Sequence, residues 1–294
     1  MPHLRAYLLL LLVVVIFTGN ILVGKALSSL PPLTISFGRV AIALLVMLPL
    51  GWYQARRAWP AFRRHWKPLT GLALSGVAFF NALIYLALGH TSPTNVAILE
   101  STIPVVTLLF SFLLFGERFR GVQWLGVALS LAGAVAVITC GGAAGFSLDG
   151  VNRGDAVMLL AVLVWVGYSL LVKSHMAKFP RYGGLLVMLV IANLVMGPLA
   201  LIENLLRPAP LTISPSQWLG LAYLGIFPSV VALLLYSHAI GEVGPTRSAV
   251  FLNLLPVFTM LGAWWLLGER IQAVQLVGSL VVIGGVLLTT RARA

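Results

Sequence analysis

Apolar runs of about twenty residues recur along the whole chain, and each is stopped by proline, glycine or a cluster of charge. Within a run such as "LRAYLLLLLVVVIFTGNILVGK" there is no strict two-residue alternation, so the runs read as helices that are apolar nearly all round. Cutting the chain at its stops predicts ten spans, near 4–28, 34–52, 68–90, 93–115, 121–141, 154–174, 182–202, 216–240, 244–267 and 272–290. Roughly 20 helical residues, at about 1.5 Å each, cross about 30 Å of hydrocarbon, so every run is about long enough to span a bilayer. The first run is followed by no small-x-small cleavage signal and is expected to stay as a span.

The pattern repeats itself. "SPTNVAILESTIPVVTLLFSFLLFGER" (92–118) and "GPTRSAVFLNLLPVFTMLGAWWLLGER" (244–270) share Pro, Thr, Ala and the closing Gly-Glu-Arg at one constant offset of 152. Gln123, Gly126 and Gly133 continue the register as Gln275, Gly278 and Gly285. "FTGNILVGK" (17–25) pairs more loosely with "WVGYSLLVK" (165–173). The chain therefore divides into two units of five spans, expected at residues 1–145 and 150–294. An odd number of spans turns the second unit over relative to the first, which relates the halves by an axis in the membrane plane. The expected fold is an all-α integral membrane protein of ten transmembrane helices, arranged as two inverted five-helix repeats around a central cavity.

Composition fits a chain solvated by lipid: 60% apolar residues and 9% charged, with a mean hydropathy of +1.02. The formal charge of +12 is spread over helix ends, with no basic stripe interleaved with aromatics, so nucleic acid is not expected as a partner. With the N-terminus inside, fourteen of the nineteen Lys and Arg fall in cytoplasmic segments, and only Arg153, Arg207 and Arg270 in outer loops. Both termini are then expected in the cytoplasm. The loop "QARRAWPAFRRHWK" reads as an interfacial anchor. Lys25 and Arg39, near the outer ends of their spans, are expected to snorkel to the headgroups. Cys140 is the single cysteine, so no intrachain disulfide forms, and neither a metal nor a cofactor is expected.

Ten spans, duplicated halves and the "P-x(11)-GER" endings resemble the EamA family of the drug/metabolite transporter superfamily over essentially the whole chain. "FGRVAIALLVMLPL" is similar to that family's "R-x(3)-A" start at Arg39 and Ala43, whereas span 7 lacks the corresponding Arg. The resemblance implies a basket of helices that moves small metabolites by alternating access. It also implies the bacterial inner membrane as the location.

Pro104 and Pro256 occupy equivalent places in spans 4 and 9. Neither can donate to the carbonyl four residues before it, so both helices should bend near the bilayer midplane and serve as hinges. Unpaired backbone at that depth is tolerated only against protein or a water-filled cavity. Glu100 breaks the symmetry, because its counterpart is Leu252. A carboxylate at helix centre costs about 2.5–3.5 kcal/mol on insertion scales, so it should bind a substrate amine or a proton, or pair with a neighbour such as Asn95 or Tyr85. Ser101 shares its face, as Asn253 does that of Pro256. Phe17, Asn20, Asn81, Tyr85, Trp165, Tyr168, Tyr236 and His238 recur where the other repeat helices should face inward. Each of these aromatics reads equally well as packing, and each histidine as a hydrogen-bonded structural residue.

An aromatic cavity with a few amides and one carboxylate suits a small amphiphile, aromatic or other apolar amino acids foremost and cationic drugs second. Nothing resembles a zinc-peptidase helix, a nucleotide-binding loop or a selectivity filter. "ALSG" around Ser75, with His238 as base, is the nearest approach to an intramembrane serine protease, and it lacks the motif's first glycine.

Overall fold

The computed structural model describes residues 4–116, 120–140, 152–208, 210–243, 248 and 251–291. The expected positions of Glu117, Arg118, Pro245, Thr246, Arg247, Ala249 and Arg293 lie outside the described residues.

Helices account for nearly all of the rest. We number the spans α1 (Leu4–Ala26), α2 (Pro32–Arg57), α3 (Trp66–Leu72, Ala73–Phe79 and Phe80–Leu88), α4 (Pro93–Glu100 and Ile103–Phe115) and α5 (Gly121–Cys140). The second half holds α6 (Arg153–His175), α7 (Arg181–Leu205), α8 (Pro215–Ile226, Phe227–Val231 and Ala232–Val243), α9 (Leu255–Leu267) and α10 (Ala273–Arg291). Eight of these spans are long and apolar enough to cross a membrane over their described residues, and Leu255–Leu267 and Ala273–Thr289 are shorter apolar helices. A short helix, Trp59–Arg64, carries the Arg- and Trp-rich loop between α2 and α3.

The most extensive contacts between spans recur when the two halves are exchanged. α2 packs on its own counterpart α7, α5 on α10, and α4 on α9. The α3–α6 contact has its mirror in α8–α1, and α4–α6 in α9–α1. Leading contacts that recur under this exchange are those of a pseudo-twofold axis, and five spans per half lay that axis in the membrane plane. One apolar core joins Ile84, Leu88, Leu99, Met158 and Val162 between α3, α4 and α6; another joins Met47, Leu186, Leu189 and Met196 between α2 and α7. Large apolar side chains such as Leu45, Leu194, Leu205 and Trp265 point outward, where lipid solvates them.

Departures from regular helix also come in pairs. α4 breaks at Ser101–Thr102, and residues 253–254 form the matching turn before α9. Pro104 and Pro256 each stand in the first turn of the segment that follows. The bend expected from the prolines is thus a full interruption. Its loosened carbonyls find partners close by: the hydroxyls of Ser101 and Thr102 donate to Ile98 O (2.7 Å) and Leu99 O (2.6 Å). Both second segments end on a left-handed glycine, Gly116 (φ 63°) and Gly268 (φ 66°). α3 and α8 carry π turns at repeat-equivalent places, Ala73–Phe79 and Phe227–Val231. Side chains again occupy widened carbonyls: Asn81 Nδ2 donates to Val77 O (3.0 Å) and Ser229 Oγ to Leu224 O (2.8 Å).

Candidate functional site

The breaks and π turns converge on one cavity of about 310 Å³. Both breaks border it, that of α4 through Glu100, Ser101, Ile103 and Pro104, and that before α9 through Leu252, Asn253 and Leu255. The π turns supply Gly76 and Val77 on one side and Pro228 and Ser229 on the other. An aromatic wall runs along α3 and α6: Phe80 lies 4.3 Å from Trp165 between ring centroids, and Trp165 lies 4.8 Å from Tyr168. Phe17 and Asn20 of α1 and Asn81 of α3 complete the set expected from the sequence that reaches the lining.

Arg39 of α2 is buried on the cavity lining, not extended to the headgroups. Its Nη1 donates to Asn20 Oδ1 (2.9 Å), Asn81 Oδ1 (2.6 Å) and Tyr85 Oη (2.7 Å), and its Nε to Ser229 Oγ (2.7 Å). The snorkelling expectation fails because α2 starts at Pro32 and runs 26 residues, which puts Arg39 about 10 Å below the helix start. Tyr85, expected on the lining, stands behind Arg39, fully buried, with its hydroxyl also on Asn20 Oδ1 (3.2 Å). Lys25 likewise turns inward, donating to Leu88 O (2.7 Å) and Thr91 O (2.9 Å) at the end of α3.

Glu100 and Asn253 reach the cavity with no hydrogen bond from their side chains to protein among the described residues. Asn95 does not pair with Glu100. Its amide instead donates to Asp155 (3.2 and 3.3 Å) and accepts from Gln275 Nε2 (2.9 Å). His238 is off the lining, with its Nε2 2.9 Å from Glu242 Oε1 one turn further along α8. Tyr236 packs with Ala6, Leu10 and Ala239, and Pro256 is buried off the lining. Ser75 donates to Gly71 O (2.6 Å) inside its own helix.

Apart from the cavity lining, near the end of α1, polar side chains form a network of their own. Asp155 accepts from Thr91 Oγ1 (2.5 Å) and from Asn95, and Thr94 Oγ1 reaches Glu269 Oε2 (3.4 Å). The network ties α3, α4 and α6 of this end to α10. On its far side Lys25, His90, Ser92 and Glu269 line a separate depression. In the other direction the cavity extends along α7 to Leu185, about 6 Å from that helix's start. Replacing Asp155 by Ala strands two buried donors, each at about 1–3 kcal/mol. The thermal midpoint of the purified protein should fall by about 5 °C or more.

Inverted five-helix repeats, interrupted helices and a cavity between them define a membrane carrier. The chain belongs to the EamA-like transporter family, which matches residues 4–139 and again residues 152–291. It is 30% identical over 287 residues to an uncharacterized transporter of Archaeoglobus fulgidus, covering 97% of both chains. It is 26% identical over 269 residues to YedA, an uncharacterized inner membrane transporter of Escherichia coli, covering 90% of this chain and 83% of the other. A solved crystal structure has the same fold, with a TM-score of 0.65 at 21% identity, over 97% of this chain and 96% of its own. The protein is a multi-pass membrane transporter and not an enzyme.

Proposed function

We propose that this transporter is a secondary carrier that exports small amphiphilic metabolites, aromatic or other apolar amino acids first among them, by alternating access across a bacterial inner membrane. The observation that carries the reading is the cavity bordered by both interrupted helices and joined by both π turns. The Phe80–Trp165–Tyr168 wall offers flat apolar contact, and Glu100, Asn253 and Arg39 offer polar contact on the same lining.

Both termini lie in the cytoplasm in this reading, from the bias of Lys and Arg toward one set of loops. The end that carries the Asp155 network is then periplasmic, and the cavity, which reaches toward the start of α7, faces the cytoplasm. The name of the Escherichia coli relative supports the inner membrane. The halves, residues 1–145 and 150–294, are two repeat domains, and transport exchanges their roles about the paired breaks. A cationic drug is the second reading, favoured by the carboxylate of Glu100 beside aromatic rings.

Reconstituted protein should support saturable uptake and counterflow of labelled tryptophan or phenylalanine in liposomes. Flux that neither saturates nor supports counterflow would make it a channel, and counterflow of hydrophobic cations alone would favour the second reading. Pro104→Ala and Pro256→Ala restore a donor where the helices are interrupted. Each should slow turnover about tenfold while leaving the half-saturation concentration within about twofold, as loss of a hinge predicts.

A further inference from the structure

Arg39 presents an imbalance that its structural role does not settle. Its four acceptors, Asn20, Asn81, Tyr85 and Ser229, are all neutral, so they satisfy hydrogen bonds at Nε and Nη1 and leave the full positive charge in place. Nη2 makes none of these bonds. The residue is 8% exposed, and what it lines is the cavity. Glu100 lines the same cavity, yet the two make no ion pair with each other. A buried cation and a partly buried anion thus face one space, within reach of each other's field yet not in contact. An isolated buried charge is costly unless it is paired, and an incoming group of the right sign removes that cost.

Helix ends of both polarities also border the cavity. Glu100 ends the Pro93–Glu100 segment, where helix carbonyls concentrate partial negative charge. Leu255 opens α9 on the lining, where amide hydrogens concentrate partial positive charge. The neutral acceptors fix the guanidinium fork in one orientation, so its last N–H edge is set in advance for a planar anion. The aromatic wall stands beside both charges, open to a side group.

Resting on the carrier reading above, we propose that Arg39 is the anion subsite of the cavity. Its free edge takes the carboxylate of the solute, while Glu100 takes the ammonium. The solute is then a zwitterion, and the cavity discriminates against molecules that carry only one of the two charges.

Three indole probes share one side group and differ in head group: tryptophan carries both charges, tryptamine only the amine, and indole-3-propionate only the acid. With parent protein in detergent, calorimetry or displacement of radiolabel should show tryptophan bound at least tenfold more tightly than either analogue. In Arg39→Gln, tryptophan affinity should fall to that of tryptamine, while tryptamine stays within about twofold of its parent value. Arg39→Lys should keep the preference for tryptophan over tryptamine at reduced affinity. A purely structural arginine predicts equal weakening of all three probes, and that result overturns the proposal, as does a parent that binds tryptamine as well as tryptophan.

If the folded parent binds none of the indoles, the aromatic reading fails. The series is then repeated with leucine, isoamylamine and 4-methylvalerate. The same pattern there retains Arg39 as the anion subsite with an aliphatic solute, and its absence overturns the assignment. Thermal midpoints of the variants separate loss of binding from loss of fold.

Discussion

Replacing Gly285 by valine is expected to lower the thermal midpoint by on the order of 10 °C or to prevent accumulation of folded protein. In a bilayer, lipid is as apolar as leucine, so helix association depends on close packing instead of exclusion from water. The α5–α10 pair meets backbone to backbone. A Cβ on Gly285 would fall 2.5 Å from Gly126 O and 2.6 Å from Ser130 N, and one on Gly126 would fall 2.6 Å from Gly285 O. Gly133 makes a similar approach to the carbonyl of Gly278. These neighbours are main-chain atoms that cannot rotate away, so the helices must separate along the crossing. Separation also costs the bond from Gln123 Nε2 to Thr289 O (3.2 Å). Overpacking a core costs about 1–3 kcal/mol where side chains can adjust, and more here. Gly167→Ala is the control, because nothing lies within 4 Å of a Cβ there. It should melt at or slightly above the parent temperature. A Gly285→Val protein that melted with the parent would show that α5 and α10 do not cross this closely.

Much of this architecture was legible because it is written twice. One offset of 152 residues brings Gly126 onto Gly278 and Gly133 onto Gly285, and these four are the glycines at the crossing. The same offset places Pro104 on Pro256, and the chain is interrupted at both. What the sequence hid was set by neighbours. The π turns of α3 and α8 leave no periodicity to read, since one extra residue per turn within a uniformly apolar run changes nothing visible. Arg39 was misplaced by a boundary: a span drawn from residue 34 puts it near the surface, and the observed start at Pro32 puts it deeper. A signal was nonetheless present. Asn20, Asn81 and Tyr85 were all expected to face inward, and three acceptors gathered in hydrocarbon need a donor. His238 could also have been separated from Tyr236. Two positions apart on a helix point roughly 200° from each other, so both could not face one cavity.

Symmetry also says where to look for chemistry, because function requires some feature to be present only once. Glu100 is such a feature, standing where the second half has Leu252. Its carboxylate makes no protein hydrogen bond or ion pair among the described residues, so a scaffolding role has no partner through which to act. Glu100→Gln keeps the shape and removes the charge. Losing one member of a buried charge pair costs about 3 kcal/mol or more, which is about a hundredfold in kcat/KM for a solute whose amine pairs with it. Uptake of an amino acid or of a hydrophobic amine should therefore fall by about that factor. Uptake of the corresponding acid without an amine should fall little or rise. The thermal midpoint should hold or increase, since an unpaired charge leaves the membrane interior. The opposite pair of results, transport equal to the parent at every pH with a lowered midpoint, would make Glu100 part of the scaffold. The interrupted α4 would then be retained as a hinge with no role in selecting its cargo.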